Sequence, residues 1–343
     1  MPELRAFNPV STALDRTKKL LFEPFDAWVW LKLVIIMFFV GSGGRSFNPG
    51  NALQYMTGGE DGNFSGDVLA NGISSIMSDT ALLAFIALIL VAIIVLVLIF
   101  SYLRGVFSFI LIDALTSGQI SLIRSFRENL GRGFKAFLFN VAVMLVSLTM
   151  ALLMLIVLLL TIFWLIGAGD SNATRAGLVL LAVGILLITI VAFIVFSLIV
   201  GLITGFFYDF AIPLIRFRNM GLMESIKHVI GLVAKEPVEF IVYVAVRWAL
   251  EAVVGFIFGI IYLCIFAVFL AVGVILAMMA VAAAEISVWL LVPFGLVFVV
   301  GFALLIAIMA LLSMPVGVYF RYYSLEFLKA FDQSYVQYTG RFA

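Results

Sequence analysis

The 343-residue sequence is 65% hydrophobic and only 11% charged, with a mean hydropathy of +1.27, which excludes a water-soluble globule, whose apolar share is nearer ~45–50%. The net charge of +1 conceals cations and anions segregated along the chain, so local clusters carry the information that the total hides. One cysteine, Cys264, and one histidine, His228, exclude an internal disulfide and any cysteine- or histidine-clustered metal site.

Met1–Asp26 carries no cleavable signal pattern: its opening is mixed and polar, and it runs into an apolar stretch that would be retained as an anchor. Asn8–Phe22 reads as an interfacial helix with Val10, Ala13, Leu14, Leu20 and Leu21 on one face and Arg16, Lys18 and Lys19 off it. Trp28–Val40 is a brief first span in which Lys32 can snorkel toward the interface. Arg45–Asp79, polar and rich in Gly, Asn and Asp, is an external loop. Within it, Asp61–Asp67 places oxygen ligands as the first half of a calcium loop does, but Gly72 stands where the bidentate glutamate is needed, so the stretch reads as an acidic loop. Ala81–Tyr102 is a second span whose apolar character continues through Ile112 to a turn at Asp113–Gly118.

The pattern of Ile120–Phe137 returns at Met223–Phe240, at an ungapped offset of 103 residues that sets Phe137 on Phe240 and Arg124 on Lys227. Ile120, Ile123, Phe126, Leu130 and Phe137 correspond to Met223, Ile226, Val229, Val233 and Phe240, and Arg132 corresponds to Lys235. Spacings of three and four make one apolar stripe with cations beside it: a basic interfacial helix leading into a transmembrane span. Asn8–Phe22 is a weaker third copy, and Glu23-Pro24 before the first span echoes Glu236-Pro237 before the fifth.

The third span, Phe134–Gly167, has 34 positions and would extend about 50 Å as one helix, against a hydrocarbon core of about 30 Å. A polar turn at Gly167–Arg175 leads to the fourth span, Ala176–Phe207, and Pro213 marks the break before the second interfacial helix. Val238–Val318 holds either two long spans joined by a partly embedded connector around Val272–Val292, or three shorter ones. Basic residues favour the first: with six spans the clusters Arg5–Lys19, Arg124–Lys135, Arg216–Lys235 and Arg321–Arg341 share one side, opposite the acidic loops. The expected fold is therefore all-α, a polytopic membrane protein whose six transmembrane helices form three repeats of an interfacial amphipathic helix plus a helical hairpin. The repeats cover approximately 8–112, 118–207 and 220–331 of a single integral membrane domain, in the cell membrane with both termini cytoplasmic. Tyr319–Phe331 is expected to extend the last span into the cytoplasm.

Arg247 and Glu251 lie one helical turn apart inside the fifth span, where charges must pair or line a wet cavity. The preferred reading is an internal ion pair that fixes helix packing, and the other is a polar site for a substrate, ion or proton. Glu285 is a further intramembrane candidate, unless it sits at the outer interface. Gly201-x-x-x-Gly205 and Gly255-x-x-x-Gly259 would permit close helix approach. Asn63-Phe64-Ser65 and Asn172-Ala173-Thr174 are glycosylation sequons in loops assigned to the outside. Arg124, Arg127, Arg132, Lys227 and Lys235 are the candidate contacts for anionic lipid head groups, each cation near such a surface being worth about 1 kcal/mol. His228 is read as a solvated residue. No phosphate-cradling loop, nucleophile–base pair or catalytic carboxylate pair is present, so no catalytic residue, cofactor, metal or nucleic-acid partner is expected.

The segments FSFILIDAL with RSFRENLGRGFKAFLF (Phe107–Phe139), FYDFAIPLI (Phe207–Ile215), YFRYYSLEFLKAFD (Tyr319–Asp332) and the opening Leu14–Gly44 resemble an uncharacterised multi-pass family of archaeal membrane proteins. That family is similar to the membrane region attached to some glycerophosphodiester phosphodiesterases. The resemblance implies a fold and a membrane location. It implies no phosphodiesterase activity, because the chain has no such domain. The expected function is non-enzymatic: organising a membrane process, or binding or moving lipid-like molecules, with membrane lipids as partners and other membrane proteins or a second copy of the chain as further ones. The alternative is a small-solute or ion transporter or channel using Arg247 and Glu251.

Overall fold

A computed structural model describes residues 6–41, 80–118, 120–166, 172–286 and 291–339, helices joined by short turns and without a strand among those residues. The helices are α1 (Asn8–Phe22), α2 (Ala27–Val40), α3 (Thr80–Ser117), α4 (Leu122–Ile166), α5 (Asn172–Phe206), α6 (Ile212–Phe217), α7 (Leu222–Lys235), α8 (Pro237–Ile286) and α9 (Leu291–Lys329). A π-helical turn, Phe207–Ala211, joins α5 to α6, and a 3₁₀ turn at Gln333–Tyr335 follows α9. Five segments are long and apolar enough to cross a membrane: those within α3, α4 and α8, the whole of α9, and Gly177–Phe217, which includes the π turn. The protein is an integral membrane protein by that measure. The apolar α2 has 14 residues, about 21 Å of helix.

Three expectations are corrected. The first copy of the repeat is not a separate interfacial helix, because Leu122–Ile166 is one helix of 45 residues, whereas the second copy breaks between α7 and α8. Pro237 supplies the difference: it pushes Glu236 out of the helical region (φ −132°, ψ 62°), and Phe134 holds the corresponding place in α4. Pro213 does not end the helix either. It lacks the N–H that would bond the carbonyl four residues earlier, at Asp209, and the chain widens there into a π turn before continuing to Phe217. The region around Val272 is no connector, since α8 runs without a break to Ile286.

The chain divides into two compact units, one comprising Met1–Ser46, Phe107–Glu128 and Asp209–Ala343, the other Phe47–Val106 and Asn129–Tyr208. In the first, three stretches are buried together: Phe107–Leu115, Phe210–Ile215 and Val318–Leu328. The Tyr322 hydroxyl donates to the Leu115 carbonyl at 2.8 Å, and Phe210 meets Phe327 at 5.8 Å between ring centroids. Arg216 on α6 is ion-paired with Asp113 on α3. Helix α1 lies along α9, burying Ala13, Leu20 and Leu21, with Arg16 Nε 2.7 Å from Glu326 and the Tyr323 hydroxyl donating to the Ala6 carbonyl at 3.1 Å. Leu14 faces outward instead of joining that buried face, 60% exposed. Tyr319–Phe331 is thus the centre of this unit more than a projecting extension. The chain after α9 folds back over the unit, burying Tyr335 and Val336, and the Thr339 N–H donates to the Thr116 carbonyl at 2.9 Å.

The second unit is held by small and polar contacts. Gly105 of α3 meets Gly133 of α4, the Tyr102 hydroxyl donates to the Leu130 carbonyl at 3.2 Å, and Asn140 Nδ2 donates to the Tyr208 hydroxyl at 2.8 Å. The Arg104 guanidinium lies 4.6 Å from the centre of the Tyr208 ring. Among the described residues a Cβ added at Gly201, Gly255 or Gly259 would meet nothing within 4 Å, so no close approach within the chain is made there.

Candidate functional site: a buried charge network and the basic helices

The fifth-span pair belongs to a larger cluster. Arg247 on α8 donates through Nε to Glu251 at 2.8 Å, one turn ahead, and through Nη1 to the Tyr243 hydroxyl at 2.8 Å, one turn behind. The same Nη1 is bonded to Oδ2 of Asp209, which the π turn carries toward α8. Tyr243 also donates to Asp209 at 3.2 Å, and Arg321 Nη1 of α9 stands 3.6 Å from the other carboxylate oxygen. Tyr323 stacks on Tyr243 with a 5° angle between rings, and Phe320 lies 5.8 Å from the Arg247 guanidinium. Two guanidiniums and two carboxylates balance. Arg247, Arg321 and Asp209 are each less than 9% exposed, and only the Glu251 side chain, at 26%, reaches outward.

Sequence reading found Arg247 and Glu251 and missed Asp209 and Arg321. Both missed residues stand in the segments that carry the family resemblance, and Asp209 is an acid inside an apolar stretch, which was the available signal. Their convergence depends on the turn that carries Asp209, α8 and α9 meeting in space. Helical spacing within one segment holds no information about that. The Glu285 side chain, the Asn172 side chain, Asn63 and the candidate calcium loop at Asp61–Gly72 lie outside the described residues.

The expected lipid contacts fall on α4 and α7. Arg124 is exposed and pairs with Glu128 at 2.8 Å, Arg127 is exposed, and Arg132 is half-buried, donating to Asn129 at 3.2 Å. On α7 the buried positions are Ser225 and Val229, while Lys227 and Lys235 face out. Met223 and Ile230 are also outward, each 62% exposed. Seven residues apart, they form a second apolar strip flanked by Lys227. His228 is not a free solvated residue. Its Nε2 is 2.9 Å from the Tyr335 hydroxyl, and the Arg218 guanidinium covers that tyrosine ring at 4.5 Å while donating to Asp332 at 2.9 Å. Hydrogen bonds from Ser334, backbone N–H first, with the Arg218 charge nearby, hold the Asp332 carboxyl below its ordinary range. Burial, reinforced by the charge of Glu326, pushes the Tyr338 phenol well above its ordinary value. No group of three metal-ligating side chains occurs among the described residues.

One family model matches residues 4–337, and its description is "Family of unknown function (DUF7544)". No curated protein and no solved structure matches the chain.

Proposed function

The chain belongs to this family of unknown function, which transfers no activity to it, and on the chain's own geometry we propose a non-enzymatic membrane protein that binds anionic lipid head groups and organises the membrane around it. What carries the reading is α7, whose apolar surface is wider than its protein contact. Ser225 and Val229 face the protein, Met223 and Ile230 face away, and Lys227 stands on the border between the outward apolar strip and the polar face. That is the arrangement of a helix lying in the head-group layer, with apolar side chains reaching the acyl boundary and a cation at the phosphates. The start of α4 repeats it, with Ile123 and Phe134 exposed beside Arg124 and Arg127.

The proposal includes six crossings, with α2 as a short first span beside the five long apolar segments, three repeated units, and both termini cytoplasmic in the cell membrane. It retains the kinship to archaeal proteins and to the membrane region attached to some glycerophosphodiester phosphodiesterases. Transport through Arg247 and Glu251 has less support, because Arg247 is buried and held by Asp209, which it shares with Arg321.

The test is reconstitution in discs of phosphatidylcholine with and without phosphatidylglycerol, followed by mass spectrometry of the lipid retained on purification. Preferential retention of phosphatidylglycerol, lost in a variant carrying Arg124→Gln, Arg127→Gln and Lys227→Gln, is expected. Indifference to lipid charge removes the head-group reading.

A further inference from the structure

We infer that α1 and its elbow into α2 form a separate membrane-inserting face that lies in one leaflet and needs no anionic lipid. The buried residues of α1, namely Pro9, Ala13, Thr17, Leu20 and Leu21, face α9. On the other side, Phe7, Leu14 and Phe22 recur every seven or eight residues and so share one outward stripe. The stripe continues past the end of α1 into Phe25 and Trp28. All five side chains are more than half exposed, from 53% at Phe22 to 70% at Trp28. An apolar strip of this length on a helix that has already spent its other apolar face on the protein is an interaction surface.

Lipid is the occupant this surface fits. The strip is continuous with α2, an apolar helix on which Leu31 and Phe38 are also exposed, so the same surface passes directly onto a membrane-embedded element. Lys18, with a side chain 69% exposed, lies on the stripe between Leu14 and Phe22, and Lys19 faces outward beside it. Long cations among apolar side chains suit the boundary between acyl chains and phosphates, where the stem is buried and the ammonium emerges. The elbow is also rigid. Trp30 donates its indole N–H to the Leu21 carbonyl at 2.8 Å and packs against Phe22 and Phe25 at 5.7 and 5.6 Å. Trp28 is thereby left to point away from the protein, as aromatic side chains do at membrane interfaces.

The experiment places a bimane probe at Leu14→Cys, Trp28→Cys or Gln333→Cys, each in a Cys264→Ser background, in vesicles of phosphatidylcholine alone. Gln333 is exposed and stands off α1, in the turn that follows α9. Probes at 14 and 28 should be quenched most by lipids spin-labelled near the head group and shielded from iodide at least about threefold relative to the probe at 333. Iodide reaching 14 and 28 as readily as 333 overturns the inference. So does strongest quenching by labels at the acyl-chain ends, which would put the strip in the bilayer core. Should Trp28→Cys fail to fold, Phe7→Cys on the same stripe carries the same expectation. Because these vesicles contain no anionic lipid, a failure here is distinct from a failure of head-group selectivity at α4 and α7.

Discussion

Gly105 and Gly133 approach so closely that a Cβ on the first would stand 2.7 Å from the carbonyl oxygen of the second, and a Cβ on Gly133 would stand 2.9 Å from the backbone of Val106. Neither atom is the free end of a flexible side chain. Gly105→Ala should therefore destabilise by about 1–3 kcal/mol through overpacking. Gly201→Ala, with open space around it, should change stability by no more than about 0.5 kcal/mol. Thermal unfolding in detergent compares the two, and equal behaviour would show that the glycine contact is not a real constraint.

Asp209 is the carboxylate that two guanidiniums share. Asp209→Asn takes away the carboxylate that stands against both buried guanidiniums, and removal of one partner from a buried pair costs about 3–5 kcal/mol. Glu251→Gln removes a charge that solvent or head groups can partly replace, so it should cost clearly less. Chemical unfolding of both variants tests the order. If Glu251→Gln proves the worse, the centre of the network has been misplaced.

Tyr338 donates to Glu326 at 2.5 Å, and Arg16 both caps its ring at 3.7 Å and pairs with the same carboxylate. Tyr338→Phe keeps the ring and loses the donor. A hydrogen bond to a charged group contributes about 1.5–3 kcal/mol, and loss of that order is expected. Because the native phenol is held protonated, its contribution is intact below the unfolded tyrosine value of about 10 and falls as pH rises beyond it. The wild type should accordingly lose stability above that pH faster than Tyr338→Phe does.

The clip formed by Asp332, Ser334 and Arg218 has the opposite dependence. A carboxyl lowered in the folded state stabilises above its unfolded value of about 4, and that contribution disappears as pH falls through the lower folded value. Amide exchange at Ser334 and Tyr335 should stay slow, after correction for intrinsic rate, down to about pH 4 and accelerate below it. Asp332→Asn should show fast exchange at every pH.

The membrane character and the long helices were legible in the sequence because apolar runs and three-four spacing are local properties. Two-helix counting across Val238–Val318 also came out of local information, since lysine and arginine placement chose between two spans and three. What escaped was set by chain segments meeting. The offset repeat predicted two similar helices, but one proline at 237 splits the second while Phe134 leaves the first whole. Leu14 satisfied the spacing of the buried face of α1 and yet points away from it, because a helix with apolar residues on two sides does not declare which side the protein takes. Likewise Arg247 announced that it needed a partner, and its near neighbour Glu251 looked sufficient. The principal partner, Asp209, comes from a different helix, 38 residues earlier in the chain.

The bond from Tyr323 to the carbonyl of Ala6 joins positions 317 residues apart. During synthesis α1 emerges long before α9 exists, so Leu20 and Leu21 must wait with their apolar sides uncovered. Contacts this distant in sequence form late and slowly. Nascent chains arrested before α9 should thus expose α1 to proteases and to whatever machinery shelters unfinished membrane proteins, while the long apolar helices made earlier are already in the bilayer. Assembly of the first unit is governed by arrival of its most distant segment.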